Sequence, residues 1–244
     1  MGRMGWSMKR RLRVLFSVIM ADGAVLGAAL GIMCGGMPGA AAPSVIRTDS
    51  GIEISPKQAE QKYIALTFDD GPHKEYTPVL LEGLKSRGVK ATFFLMGENI
   101  PGNEAVVKQM KQDGHLIGNH SFRHIQLTKA GEDAVCKAVE KAESLISDIT
   151  GMRPEYLRPP YGDWNEGLEC RLDLTPVFWT VDSLDWKLKN TGKIVKRVEK
   201  YVGNGDIILM HDIFPTSVEA ALELVDILQE QGYQFVTVEE LLID

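Results

Sequence analysis

The sequence predicts an α/β fold closed into an irregular barrel of about seven parallel strands, and two observations carry that prediction. From residue 63 onward, short β-prone apolar runs alternate with segments of helical periodicity, the order that builds a parallel sheet. Polar strings holding Asp69 and Asp70, His120, Arg158, Asp182 and Asp185, and His211 each follow the end of a different apolar run. In a barrel those strand ends converge on one mouth, whereas an open sheet strings them out at ~4.8 Å per strand. Convergence favours the barrel.

The elements follow in order. Residues 63–68 read as the first strand. Thr77-Pro78 opens a helix, because proline is tolerated at its first position, and Gly88 closes it. Residues 91–95 are the second strand, and Asn103 caps a helix ending near Gly114. A brief third strand covers 116–118. Val135, Ala138, Val139, Ala142, Leu145, Ile146 and Ile149 then form one helical stripe that stops at Gly151. Strands at 156–157 and 176–181, a helix at 193–202, a strand at 207–210, a helix at 217–231 and a last strand at 234–238 complete the pattern.

A chain of 244 residues, 44% of them hydrophobic, can bury one sizeable core. Residues 1–42 read differently from the rest. Lys9, Arg10, Arg11 and Arg13 precede an apolar stretch that ends in Ala40-Ala41-Ala42, the order of an export signal. The stretch is also long enough to span a bilayer, so cleaved signal and retained membrane anchor both stay open. Either places the remainder outside the cytoplasm. Residues 43–61 read as a linker and 62–244 as the catalytic domain. The first 42 residues contribute +4 of a net −6, so the rest carries −10. With no Lys/Arg stripe evident, that charge argues against nucleic acid as a partner. Cys136 and Cys170 could pair in an oxidising compartment, though spacing alone does not bring them within bonding range.

The chemistry lies in five strings. Thr67-Phe68-Asp69-Asp70-Gly71-Pro72 supplies paired carboxylates. His120-Ser121-Phe122-Arg123-His124 supplies two imidazoles at i and i+4, a spacing that faces one way on a helical turn and suits one divalent metal. One Asp with the two His gives three protein donors and leaves room for water and substrate, as in a catalytic site. The second Asp can then take a proton from the attacking water. Arg158, stiffened by Pro159-Pro160, can orient that base and hold its pKa down. His211 can protonate a leaving group, and an acidic partner such as Asp185 would raise its pKa. Tyr161, Trp164, Trp179 and Trp186 are candidate walls for stacking a sugar. His73 and His115 read as structural, and the Asn119-His120-Ser121 acceptor pattern is set aside because a glycan there would bury the ligands.

These strings, in this order, resemble the polysaccharide deacetylases of carbohydrate esterase family 4 across nearly all of residues 63–242. The resemblance implies a distorted, TIM-like (β/α) barrel holding one divalent ion, usually zinc, with cobalt, nickel or manganese as alternatives. It implies Asp69 as general base and Asp70, His120 and His124 as metal ligands, with Arg158 steadying the base. It further implies that the Tyr161 amide holds the oxyanion and that Asp185 tunes His211, the general acid. Trp186 belongs to the same motif as Asp185, and Leu209 lines a pocket for the acetyl methyl. The expected activity is removal of N-acetyl groups from a cell-surface polysaccharide, peptidoglycan N-acetylglucosamine first, by a monomer. Membrane association would come only through an uncleaved residue 1–42 segment. An O-acetyl esterase of the xylan type and a non-catalytic glycan-binding module are the competing readings.

Overall fold

The structure, a computed structural model, describes residues 45–48, 51–54, 61–165, 167–168 and 172–243. Residues 1–42, read as an export signal or anchor, and Cys170 therefore lie outside the described residues, among which Cys136 has no disulfide partner. Within the N-terminal unit, Val45–Thr48 (β1) and Gly51–Ile54 (β2) pair antiparallel, Val45 opposite Ile54. This short hairpin lies within the segment 43–61. The β-branched residues Val45, Ile46, Ile52 and Ile54 favour extended pairing.

The second unit is built on Lys62–Asp69 (β3), buried over its last six residues. Ile64, Leu66 and Phe68 join the main apolar cluster, while Ala65 belongs to a separate one and Thr67 and Asp69 are buried polar residues. The alternation is the period of two expected of a strand. Tyr76–Ser86 (α1) starts one residue before Thr77, and Gly88 follows it at φ 65°. Thr92–Leu95 (β4), Glu104–Gln112 (α2) and Leu116–Asn119 (β5) fall where expected. Glu132–Thr150 (α3) ends on Gly151 at φ 70°, the left-handed position that glycine takes without steric cost. Tyr156–Leu157 (β6) follows.

The single strand expected at 176–181 is two: Thr175–Pro176 (β7) and Val181–Asp182 (β8). Asp185–Leu188 (α4), Thr191–Tyr201 (α5), Ile207–His211 (β9), Pro215–Glu230 (α6), Tyr233–Val236 (β10) and Val238–Ile243 (α7) complete the chain. Neither α4 nor α7 is signalled by periodicity, since one turn or so is too short to show it.

The strands run β7-β6-β5-β4-β3-β9-β8, every pairing parallel. β10 pairs with the first half of β3 and β4 with the second, so the two share one flank of β3 end to end. β7 and β8 stand at opposite ends of this order and are joined by residues 177–180. Val177 N–H bonds Leu157 O on one side (2.8 Å), and Thr180 N–H bonds Ile207 O on the other (3.0 Å). The chain thus crosses the seam by leaving one neighbour for the next. At the crossing the carbonyls of Val177 and Phe178 accept from the Arg158 guanidinium at 3.4 and 3.2 Å. Buried carbonyls need a partner, and here an arginine replaces a strand.

The main apolar cluster lies between the sheet and α1, α2, α5 and α6, with Leu80, Leu84, Met110, Ile194, Val198, Leu224 and Leu228 among its residues. Each such side chain contributes about 1.5–3 kcal/mol on burial. No helix among the described residues is long and apolar enough to cross a membrane.

Candidate active site

Asp69 closes β3, and Asp70 follows it at φ 72°, a conformation that Asp tolerates better than most residues. The turn projects the Asp70 carboxylate toward the end of β5. There its Oδ1 lies 3.5 Å from His120 Nε2 and 3.7 Å from His124 Nε2. Each of the three residues offers a ligand atom within 4.8 Å of the others. Asp70 Oδ1 is buried and has no hydrogen-bond partner among the described residues, a costly state for a carboxylate that a cation would relieve. His120 Nδ1 sits 2.7 Å from Arg158 O, which must receive its proton and so leaves the Nε2 lone pair facing Asp70. Burial, against the charge of Asp70, takes the His120 pKa down to about 3 and keeps the ring neutral. Two neutral-nitrogen donors and one carboxylate fit a divalent cation of the zinc type.

The helical turn expected at 120–124 is absent. Ser121 and His124 are both left-handed, at φ 62° and 52°, and the two rings meet edge to face at 4.9 Å. Irregular backbone, rather than the i, i+4 geometry of a helix, aims the imidazoles.

Arg158 is fully buried and donates to Asp69 Oδ1 at 2.9 Å and Thr67 Oγ1 at 2.6 Å. Its guanidinium also lies 4.3 Å from the Phe94 ring centre. Its charge and its hydrogen bond pull the Asp69 pKa down, the direction expected, without setting the net shift. Burial is the larger influence and raises that pKa, with Arg158 and His211 opposing it. On the adjoining strand His211 stands in register with Asp69. Its Nδ1 lies 2.7 Å from Asp185 Oδ1, and its backbone N–H donates to Asp185 Oδ2 at 2.7 Å. Burial disfavours the imidazolium, but the bond to Asp185 and the charges of Asp185, Asp69 and Asp70 outweigh it, and the pKa rises to about 9.

At the rim, Trp186 is 49% exposed and Tyr161 68% exposed, the latter at φ 61° with its ring 4.4 Å from that of His124. Leu209 is buried on β9, opposite Thr67 and Asp182. Trp164 and Trp179 instead pack against apolar clusters. His73 stacks on Tyr76 and accepts from the amides of Glu75 and Tyr76. His115 accepts from Ala91 N–H at 3.1 Å. Asn119 is buried and donates to Val139 O, so it is no glycan acceptor.

Sequence reasoning missed two supports. Asn99 Nδ2 donates to Asp70 O at 2.7 Å, while Met96 N–H bonds Gly71 O and Gly97 N–H bonds Ser121 O. The segment from Met96 to Asn99 therefore ties the Asp70 turn to the histidine loop. Asp212 is buried beneath the same turn, bonded by Thr77 Oγ1, and a Cβ at Gly71 would collide with its carboxylate. Only the position of Asp212 directly after His211 could have flagged it.

Comparison with known proteins decides the family. The polysaccharide deacetylase profile matches residues 56–173. The structure of peptidoglycan deacetylase PdaC from Bacillus subtilis superposes with a TM-score of 0.73 at 41% identity, covering 75% of this chain and 90% of that one. The chain belongs to the polysaccharide deacetylase family. The family members it resembles include the peptidoglycan-N-acetylglucosamine deacetylase PgdA of Listeria monocytogenes, 41% identical over 76% of this chain. They include also the full-length peptidoglycan-N-acetylmuramic acid deacetylase PdaC of Bacillus subtilis, 41% identical over 74%. The match spans only 40% and 39% of those two proteins.

Proposed function

We propose that the chain is a metal-dependent N-deacetylase that hydrolyses acetamido groups on a cell-surface polysaccharide, peptidoglycan N-acetylglucosamine first. One observation carries the reading: Asp69 and His211 stand in register on adjoining strands beside the Asp70–His120–His124 cluster. The names of the relatives support peptidoglycan as the polymer. A polymer outside the cytoplasm also agrees with residues 1–42 as signal or anchor.

Asp70, His120 and His124 would hold a divalent ion of the zinc type, which would supply Lewis-acid polarisation and acidify water when bound. Arg158 occupies Asp69 Oδ1 and leaves Oδ2, which lies 3.8 Å from His120 Nε2 on the cluster side, free to take a proton from the attacking water. The new C–O bond places negative charge on the former carbonyl oxygen, and the Tyr161 backbone N–H is the chain's donor to it. Leu209 bounds the space for the methyl group. His211, oriented through Nδ1 by Asp185, gives its Nε2 proton to the departing nitrogen as the C–N bond breaks. Acetate and a free amine result.

The test is to incubate the zinc-loaded chain with N-acetylglucosamine oligomers and with peptidoglycan, measuring acetate and primary amine together. Equal release of both is expected. Acetate without amine means an ester substrate, and neither product means a binding module; each outcome overturns the proposal.

A further inference from the structure

Residues 43–244 carry −10, yet one short segment is strongly basic. Between residues 187 and 200 stand Lys187, Lys189, Lys193, Lys196, Arg197 and Lys200, against Glu199 alone. Ile194, Val195 and Val198 turn the apolar side of α5 into the core. Lys193, Lys196 and Lys200, at spacings of three and four, consequently share its solvent face. All five lysines are exposed, and among the described residues none has a carboxylate within ion-pair distance. Lys189 rests over the Phe214 ring and Lys200 over Tyr201. Arg197 is occupied by Asp182 O. Of the acids on α6, Glu219 accepts from Thr191 and Asp226 pairs with Arg87. This lysine face is the stripe that composition concealed.

We propose that Lys193, Lys196 and Lys200, with Lys187 and Lys189 beside the exposed Trp186, form a docking surface for the carboxylate-bearing flank of the glycan whose acetamido group enters the site. The inference rests on the deacetylase reading. Continuity with the site names the occupant. Asp185 holds His211, Trp186 follows at the rim, and the first lysine is the next residue. A strand leaving the rim on the Trp186 side would meet Lys187 and Lys189 first, and Lys193, Lys196 and Lys200 as it ran down α5, whose following turn bonds the start of β3. Against a net negative charge, this basic segment favours one direction for an acidic strand. A membrane is a poorer occupant, because an interfacial helix needs a free apolar face and that of α5 is buried.

The test uses the full chain and its triple variants Lys193→Glu/Lys196→Glu/Lys200→Glu and Lys193→Gln/Lys196→Gln/Lys200→Gln, all outside the reacting centre. Substrates are carboxylate-bearing peptidoglycan fragments, the same fragments with their carboxylates amidated, and neutral N-acetylglucosamine oligomers. At low salt the charge reversal is expected to raise KM for carboxylated fragments about tenfold, with kcat unchanged and a smaller rise for the glutamine variant. Amidation or salt near 0.3 M should erase the difference between variant and wild type. Neutral oligomers should not distinguish them. An unchanged KM for carboxylated fragments overturns the proposal, as does an equal loss on neutral oligomers, which would mark a structural defect. Co-sedimentation with insoluble peptidoglycan reads docking even if no acetyl group is released, separating this inference from the proposed activity. Binding to anionic vesicles but not to peptidoglycan would assign the face to a membrane and also overturn it.

Discussion

Asp69 and His211 occupy neighbouring strands in register, each held by a buried group of opposite charge, yet the balance of forces differs. At Asp69 burial outweighs Arg158, whereas at His211 the bond to Asp185 and the charges of Asp185, Asp69 and Asp70 together outweigh burial. The partners explain the contrast. Arg158 divides its donors among Asp69, Thr67, Val177 O and Phe178 O, with one bond to the base. Asp185 directs both oxygens at His211, one to the ring and one to the backbone, and Oδ1 also receives Trp186 N–H. A buried ion partner tunes a pKa according to how much of it faces the titrating group. Both pKa values move upward, which strengthens Asp69 as a base and keeps His211 charged as an acid.

The comparison breaks most severely at the base itself. Asp69→Asn should lower kcat by about 10²–10⁴-fold with the fold retained, measured by acetate release and circular dichroism. Wild-type turnover in that variant would end the assignment. Removing Arg158 tests the shared partner: Arg158→Met leaves the buried Asp69 carboxylate without its guanidinium, and should cost about 3–5 kcal/mol of stability, read from urea unfolding. A loss below about 1 kcal/mol would mean that the seam does not depend on the guanidinium.

The other arm is sharper as a pH experiment. His211 acts as an acid only while protonated, so the rate should fall as pH rises through its pKa, about 9. Asp185→Asn removes the chief upward influence while burial persists, so this alkaline limb should move toward or below the ordinary value near 6.5, with kcat reduced about 10–100-fold. A limb that stays in place would separate Asp185 from His211. The smallest effect is expected at Asn99, which supports the cluster from behind. Asn99→Ala should weaken metal binding by about tenfold, measured by competition with a coloured chelator. Unchanged affinity would reduce Asn99 to a loop residue.

How much could be read from the chain follows from where each signal resides. The long helices and the buried strands announce themselves through side-chain period, as in α3 and β3. Asp69, Asp70, His120 and His124 are legible because their chemistry is unusual for a turn. The split at residues 177–180 is silent, because its cause is a guanidinium on distant Arg158 meeting backbone carbonyls, which carry no letter of their own. Asn99 acts on the backbone of Asp70 and is silent for the same reason. The lysine face was averaged away by net charge, and it emerges only once α5 is known to bury Ile194, Val195 and Val198. The hairpin of β1 and β2, with four residues to a strand, is too short to stand out from the polar residues around it.

The guanidinium that closes the seam between β7 and β8 is also the one that aims Asp69. Wall and warhead therefore share a single fastening. A copy of this gene drifting free of selection for activity could discard Asp69 and keep its shape, but losing Arg158 would open the vessel as well as disarm it.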